Sequence, residues 1–269
     1  MAMSEADLDE RQRVATAVVR EAAAVALDYF VRRGDLTIEF KGAQDVVSVA
    51  DKTVETHIRD GLAAAFPGDG FVGEEHGEEG DPDRAWVIDP IDGTQNFLRG
   101  LPYWTVVLAF VVDGRTELSF TVDPVHDELY VARRGQGAWR DGVPIRCRTP
   151  SGPGEACVAL SFGFKDSWQL YVDIQAKFLS RGVDMRRLGS TALILAHIAD
   201  GRLDAIYAPG NQSWDCIAGL LLVDEAGGHV NDFLGTSGLL GRGPVVAAVP
   251  PIAALATEIT GVAIGGRQG

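Results

Sequence analysis

Ten consecutive residues, Ala85-Trp86-Val87-Ile88-Asp89-Pro90-Ile91-Asp92-Gly93-Thr94, constrain the fold of this chain more than any other stretch. An apolar run of strand type leads straight into two carboxylates, a glycine and a threonine. A sheet fixes the side chains at a strand end, and Pro90 and Gly93 bend the backbone so that Asp89 and Asp92 can converge on one point. Two close carboxylates repel unless something positive lies between them. Hard divalent cations with oxygen ligands, Mg²⁺ above all, relieve that repulsion and keep coordination positions open for water and phosphate. The competing reading is an acidic surface turn, because Asp and Gly are ordinary turn residues.

Around this strand the pattern alternates. Leu8, Val14, Val18, Val25 and Tyr29 fall near helical spacing between residues 4 and 31, which predicts an amphipathic first helix ended by Gly34. Asp51 followed by Val54, Ile58 and Leu62 predicts a second helix, with Asp51 near its start and Pro67-Gly68 beyond its end. Short β-branched and aromatic runs then predict strands at Phe71-Val72, 85–88, 104–112, 118–122 and 128–133, with hairpin turns at Asp113-Gly114 and Asp141-Gly142. Helices are expected at 190–199 and 214–226, the latter stopped by Gly227-Gly228. The expected class is α/β in layers. With 269 residues, no linker and no repeat, a single unit over 1–269 is expected, an N-terminal half to about 145 holding most of the acidic motifs and a C-terminal half holding Asp215.

Composition narrows the function. A net charge of -14 opposes a nucleic-acid backbone, so no nucleic-acid polymer is expected as a partner. An acidic protein still binds a small anion when divalent cations sit between its carboxylates and the ligand. No apolar stretch approaches the roughly 20 residues of a membrane span, and the acidic start with Glu5, Asp7, Asp9 and Glu10 lacks a secretion signal, so no membrane partner and a cytoplasmic location are expected. Cys147, Cys157 and Cys216 show neither disulfide nor zinc spacing.

Four further segments carry candidate chemistry. Glu74-Glu75 follows a short apolar pair, although acidic pairs on so acidic a chain are usually solvated. Asp215 opens an otherwise apolar helix, where metal binding competes with helix capping. Asp51 stands at another helix start within DVVSVADKTVE, with Lys41 upstream. Gly189-Ser190-Thr191 precedes a helix and offers amides and hydroxyls to an anion, or ordinary caps. The histidines at 57, 76, 126, 197 and 229 lack metal-ligand spacing and read as structural or solvated.

Taken together, GEE at 73–75, DPIDGTQNF at 89–97 and WDCIAG at 214–219 closely resemble the inositol monophosphatase family of metal-dependent phosphatases, and the likeness runs from Lys41 to EAGG at 225–228. The resemblance implies an alternating αβαβα sandwich of the sugar-phosphatase type, usually dimeric, acting on a small phosphorylated metabolite. Residue by residue it implies that Glu74, Asp89 and the Ile91 carbonyl hold one Mg²⁺, that Asp89, Asp92 and Asp215 hold a second, and that a third, weaker ion lies near Glu74. Phosphate would rest against the metals and the amides around Gly93 and Thr94, and Gly189, Ser190, Thr191 and Asp215 are expected to contact the substrate. A water near Glu74, oriented by Thr94 with Asp51 accepting the Thr94 hydroxyl, would attack phosphorus without a phosphoenzyme. Lys41 is assigned no catalytic role. Haloacid-dehalogenase-type phosphatases also place Asp-Gly-Thr after an apolar strand, but their two aspartates are separated by one residue and here two intervene.

The substrate is less sharply marked. Inositol-phosphate enzymes commonly carry a Glu seven residues before the Asp of the WD motif, where this chain has Ala208; Asn211, Gln212 or Ser213 would have to replace its hydrogen bonds. Inositol 1-phosphate is the expected substrate, with histidinol phosphate, fructose bisphosphate and 3′-phosphoadenosine nucleotides as alternatives and a regulatory or interaction protein as the non-enzymatic one.

Overall fold

The computed structural model describes residues 3–35, 38–42, 45–163 and 166–266. Helix α1 (Glu5–Val31), capped by the Ser4 hydroxyl, and α2 (Val49–Ala65) match the expected amphipathic pair. Between them β1 (Ile38–Gly42) and β2 (Asp45–Ser48) form an antiparallel ribbon. The Lys41 side chain lies outside the described residues. Strands β3 (Gly70–Gly73), β4 (Gly77–Glu79), β5 (Arg84–Asp92), β6 (Thr105–Val112), β7 (Arg115–Asp123), β8 (Glu128–Arg133), β9 (Gly137–Arg140) and β10 (Val143–Pro144) build one sheet in the order β10-β9-β8-β7-β6-β5-β3-β4. Only β3 and β5 run parallel in it.

The second half supplies a five-stranded sheet in the order β12-β11-β13-β15-β14, from β11 (Cys157–Leu160), β12 (Asp184–Arg186), β13 (Ala205–Asn211), β14 (His229–Val230) and β15 (Gly243–Ala248). Helix α3 (Thr94–Arg99) follows β5; α4 (Trp168–Ser180), α5 (Thr191–Ala199), α6 (Ser213–Glu225), α7 (Phe233–Ser237) and α8 (Pro250–Thr260) complete the described helices.

Layering follows from where each apolar face goes. Helices α1 and α2 cover one face of the large sheet, α5 and α6 fill the space between the two sheets, and α4 with α8 covers the outer face of the second, which is an αβαβα sandwich. Strand β6 shows why its sequence reads as an unbroken apolar run: Val106, Leu108 and Phe110 pack toward α1 and α2, while Val107, Ala109 and Val111 pack toward the central helices. For the same reason α5 and α6 are apolar nearly all round. Gly219 lets these two helices touch closely, since a Cβ there would lie 2.5 Å from the Leu195 Cβ. The turns at Asp113-Gly114 and Asp141-Gly142 both have positive φ at both residues, as tight hairpins require.

Candidate active site

Parallel pairing of β3 with β5 delivers two acidic segments to the same end of the large sheet. Gly73 pairs with Ile88, so Glu74 leaves β3 beside the point where β5 reaches Asp89 and Asp92. Asp215 lies in the first turn of α6, which packs on β5 from the central layer. Asp51 lies in the first turn of α2 and is buried, and Thr94 opens α3 directly after Gly93. Gly93 has φ +98°, and a Cβ there would meet the Tyr103 carbonyl at 3.1 Å and the Ser190 and Trp104 Cβ atoms at 3.2 Å, so the turn closes only with glycine.

Hydrogen bonds hold each acid differently. Asp89 is 1% exposed and its Oδ1 accepts the Ile91 amide at 3.0 Å. Asp92 Oδ2 accepts the Ser190 hydroxyl and the Ala192 amide, both at 2.6 Å. The anion seated on the start of α5 is therefore the Asp92 carboxylate, and the Ser190 hydrogen expected to meet a ligand is directed to it. The Thr191 hydroxyl donates to Asn211 Oδ1 at 3.0 Å. Gly189 borders Asn96, whose amide donates to the carbonyls of Tyr103 and Leu188 at 2.8 and 2.7 Å and ties the two loops together. Asp215 Oδ2 accepts the Gln212 amide at 2.8 Å, so capping and proximity to the other acids occur in one residue. The Thr94 hydroxyl donates to the Ile91 carbonyl at 3.1 Å.

The electrostatics of this group are unfavourable as it stands. Burial pushes the Asp89 carboxyl well above its ordinary range, and the charges of Glu74, Asp92 and Asp215 push it further. Burial raises Asp92 to about 6 against the hydrogen bonds from Ser190 and Ala192. Burial, then repulsion from Asp92, raises Asp215 to about 7. Arg242 lowers the Asp215 carboxyl, but by less than burial and Asp92 raise it. Buried oxygen donors that repel one another fit a hard divalent cation.

A second acidic cluster is absent from the sequence expectations and is joined to the first through Tyr103, whose carbonyl borders Gly93 and whose hydroxyl reaches His197. Asp123, Glu128 and His197 present ligand atoms within 4.8 Å of one another. Here the charge is answered by protein: Arg202 donates to both Glu128 oxygens at 2.8 and 2.5 Å, and Arg140 meets Asp200 at 2.5 Å. Arg202 also donates to His197 Nε2 at 3.1 Å, which makes that nitrogen an acceptor and leaves Nδ1, 3.1 Å from the Tyr103 hydroxyl, to carry the proton. Hydrogen bonds from Arg202 pull Glu128 down to about 2, and burial lowers His197 to about 4. His197 is thus a neutral structural residue.

Beside Asp92 opens a cavity of about 170 Å³ lined in part by Asp166, Arg187, Thr191, Ala208 and Asn211. Asp166 is paired with Arg242 and accepts the Gly163 amide at 2.8 Å.

The description "Inositol monophosphatase family" matches residues 7–261 of the chain. The Nus factor SuhB of Escherichia coli strain K12 is 41% identical over 216 residues, covering 79% of this chain and 81% of its own. Among solved structures, an IMPase from Thermotoga maritima superposes with a TM-score of 0.83 at 28% identity, covering 94% of this chain and 97% of its own. SuhB of Mycobacterium tuberculosis superposes with a TM-score of 0.75 at 33% identity, covering 92% and 96%.

Proposed function

This chain belongs to the inositol monophosphatase family, and from that premise we propose that it is a Mg²⁺-dependent phosphatase that hydrolyses inositol 1-phosphate to inositol and inorganic phosphate. The observation that carries the reading is the buried, mutually repelling group of Asp89, Asp92 and Asp215 beside Glu74, whose carboxyls burial and neighbouring charge drive upward. Glu74, Asp89 and the Ile91 carbonyl would hold one ion, and Asp89, Asp92 and Asp215 another, with a third near Glu74. When bound, Mg²⁺ supplies positive charge opposite the phosphoryl oxygens and makes water a stronger acid.

The residues do the rest by position. Amides at Gly93 and Thr94 seat the phosphate, with Asp215 and the residues around Gly189 completing the rim of the site. Glu74 and Thr94 orient one water in line with phosphorus; its oxygen bonds to phosphorus as the ester oxygen leaves and becomes the alcohol hydroxyl. Asp51 accepts the hydrogen of Thr94, for which the hydroxyl must turn from the Ile91 carbonyl. Ser190 fixes Asp92 through its hydroxyl. No side chain is phosphorylated.

The cavity beside Asp92 favours a neutral polyol over histidinol. Its carboxylate outside the acidic group, Asp166, is committed to Arg242, so an ammonium group would lack an anionic partner there. Phosphate release from inositol 1-phosphate, histidinol phosphate, fructose 1,6-bisphosphate and 3′-phosphoadenosine 5′-phosphate, with Mg²⁺ and with chelator, tests this directly. Preference for inositol 1-phosphate, lost in chelator, is expected; preference for histidinol phosphate contradicts the substrate assignment.

A second reading rests on the SuhB relatives named Nus factors, of which the Escherichia coli protein is 41% identical: an interaction role for this chain as well. Intact metal binding with no phosphate release from any of the four esters would shift the weight to that role. The protein is further taken to be one unit and cytoplasmic and, as the family resemblance implies, homodimeric, which sedimentation of the purified chain checks for oligomeric state.

A further inference from the structure

Glu55 lies on α2, one turn beyond Asp51, with its side chain completely buried. No charge in that position is tolerable without partners, and it has several. Its Oε2 accepts the Glu75 amide at 2.7 Å, and its Oε1 accepts the His76 amide at 3.2 Å and the Arg59 Nε at 2.8 Å. Arg59 in turn donates to the Gly77 carbonyl at 2.5 Å. The carboxylate therefore holds the two amides that immediately follow Glu74, and through Arg59 it holds the far end of the same β3-β4 turn.

Gly73 records how tightly. A Cβ on residue 73 would lie 1.9 Å from Glu55 Oε1, so the glycine of the GEE motif makes room for this carboxylate. On its other side, the Glu74 amide donates to the Ile88 carbonyl, one residue before Asp89, at 3.4 Å. The backbone of Glu74 is thus held between β5, which bears Asp89 and Asp92, and the Glu55 carboxylate on α2. His76 Nδ1 also lies 3.3 Å from Oε1, so every polar contact of this carboxylate goes to the loop that follows Glu74 or to Arg59, which braces it.

We propose that Glu55 is a positioning residue that sets the divalent-cation affinity of the site by fixing the Glu74 loop against β5. The proposal rests on the metal-binding reading given above. In Glu55→Gln one acceptor oxygen becomes an NH₂ group, which faces the donors of Glu75, His76 or Arg59 and cannot satisfy them. Groups that support metal ligands from behind typically change affinity by about 10- to 100-fold when altered, and the same range is expected here.

The test is calorimetric titration of Mg²⁺ into metal-free wild type and Glu55→Gln, with the melting temperature of each in chelator measured alongside. Glu55→Gln is expected to weaken Mg²⁺ binding by about tenfold or more, with phosphate release at saturating Mg²⁺ restored to near the wild-type rate. Gly73→Ala, which pushes on the same contact from the loop side, is expected to act in the same direction and serves where Glu55→Gln does not fold. A lowered melting temperature with unchanged Mg²⁺ affinity in the folded variants would make Glu55 a fold-stabilising residue and overturn the proposal. Failure of the wild type itself to bind Mg²⁺ would overturn the metal-binding reading, and this inference with it.

Discussion

Two acidic clusters in this molecule have similar composition and opposite electrostatics. Around Glu128, Arg202 supplies a cation at hydrogen-bond distance and Arg140 a second at 3.8 Å, and Glu128 is held at about 2. Around Asp89, burial and mutual repulsion drive the carboxyls upward, with Asp92 at about 6 and Asp215 at about 7. A cluster that carries its own counter-charge is complete as folded. One whose buried carboxyls repel one another is destabilised until a cation arrives, which is the expected signature of a site kept for function at some cost in stability. Close packing of possible ligand atoms, which Asp123, Glu128 and His197 have, is thus a poorer guide to a metal site than mutual repulsion among buried carboxyls.

The largest effect should come from breaking the repelling cluster. Asp92→Asn should reduce phosphate release roughly 10³-fold at saturating Mg²⁺, since several kcal/mol of transition-state stabilisation depends on the charges it helps place. In chelator, Asp89→Asn should melt a few degrees above wild type, because it removes one of the repelling charges; a lower melting temperature would deny the repulsion.

Next in size is the effect of pH. The folded-state values of Asp92 and Asp215 are raised, so the folded metal-free protein binds more protons than the unfolded chain between about pH 4 and 7. Its stability should therefore fall as pH rises through that window. Mg²⁺ must displace those protons, so its affinity should rise with pH, by about tenfold per unit per proton displaced, and level off above about 7. Calorimetry in buffers of different ionisation enthalpy counts the protons released; zero release at pH 6 contradicts the assignment.

The smallest effect should come from the compensated cluster. Arg202→Met removes a partly exposed cation and should cost about 1 kcal/mol in urea unfolding while phosphate release stays within about twofold. His197, lowered to about 4, adds an acid-side dependence of opposite sign: the unfolded chain takes up its proton first, so that contribution to stability is lost as pH falls from about 6.5 toward 4.

Much of the N-terminal fold and the acids of the Asp89 cluster were legible before the structure, and the second cluster was not. The first helix, the paired hairpin turns and strand β5 with its terminal acids were all visible, because each is encoded in one continuous stretch of residues. Helix α4 was missed: Trp168, Leu170, Val172 and Leu179 are exposed while Ile174 and Phe178 are buried, so apolar residues lie on more than one face and blur the helical period. Strands β11, β13 and β15 were missed too, the first because four residues, CVAL, give too short a signal and the second because Pro209 and Gly210 interrupt it. In the site, the acids themselves were readable, whereas what holds them was not. The bond from Ser190 to Asp92 spans 98 residues of sequence and that from Glu55 to the Glu75 amide spans 20, and no local pattern announces either. The same holds for Arg202 and Glu128, 74 residues apart, which turn a possible ligand group into a closed ion-pair network.

Calorimetric titration of Mg²⁺ into metal-free wild type, Asp89→Asn and Glu128→Gln tests most directly which cluster is the metal site. Binding that survives in Glu128→Gln and is lost in Asp89→Asn is the result expected from the buried, mutually repelling carboxyls. Binding that survives in Asp89→Asn and is lost in Glu128→Gln would place the cation at the Arg-compensated cluster and contradict the account.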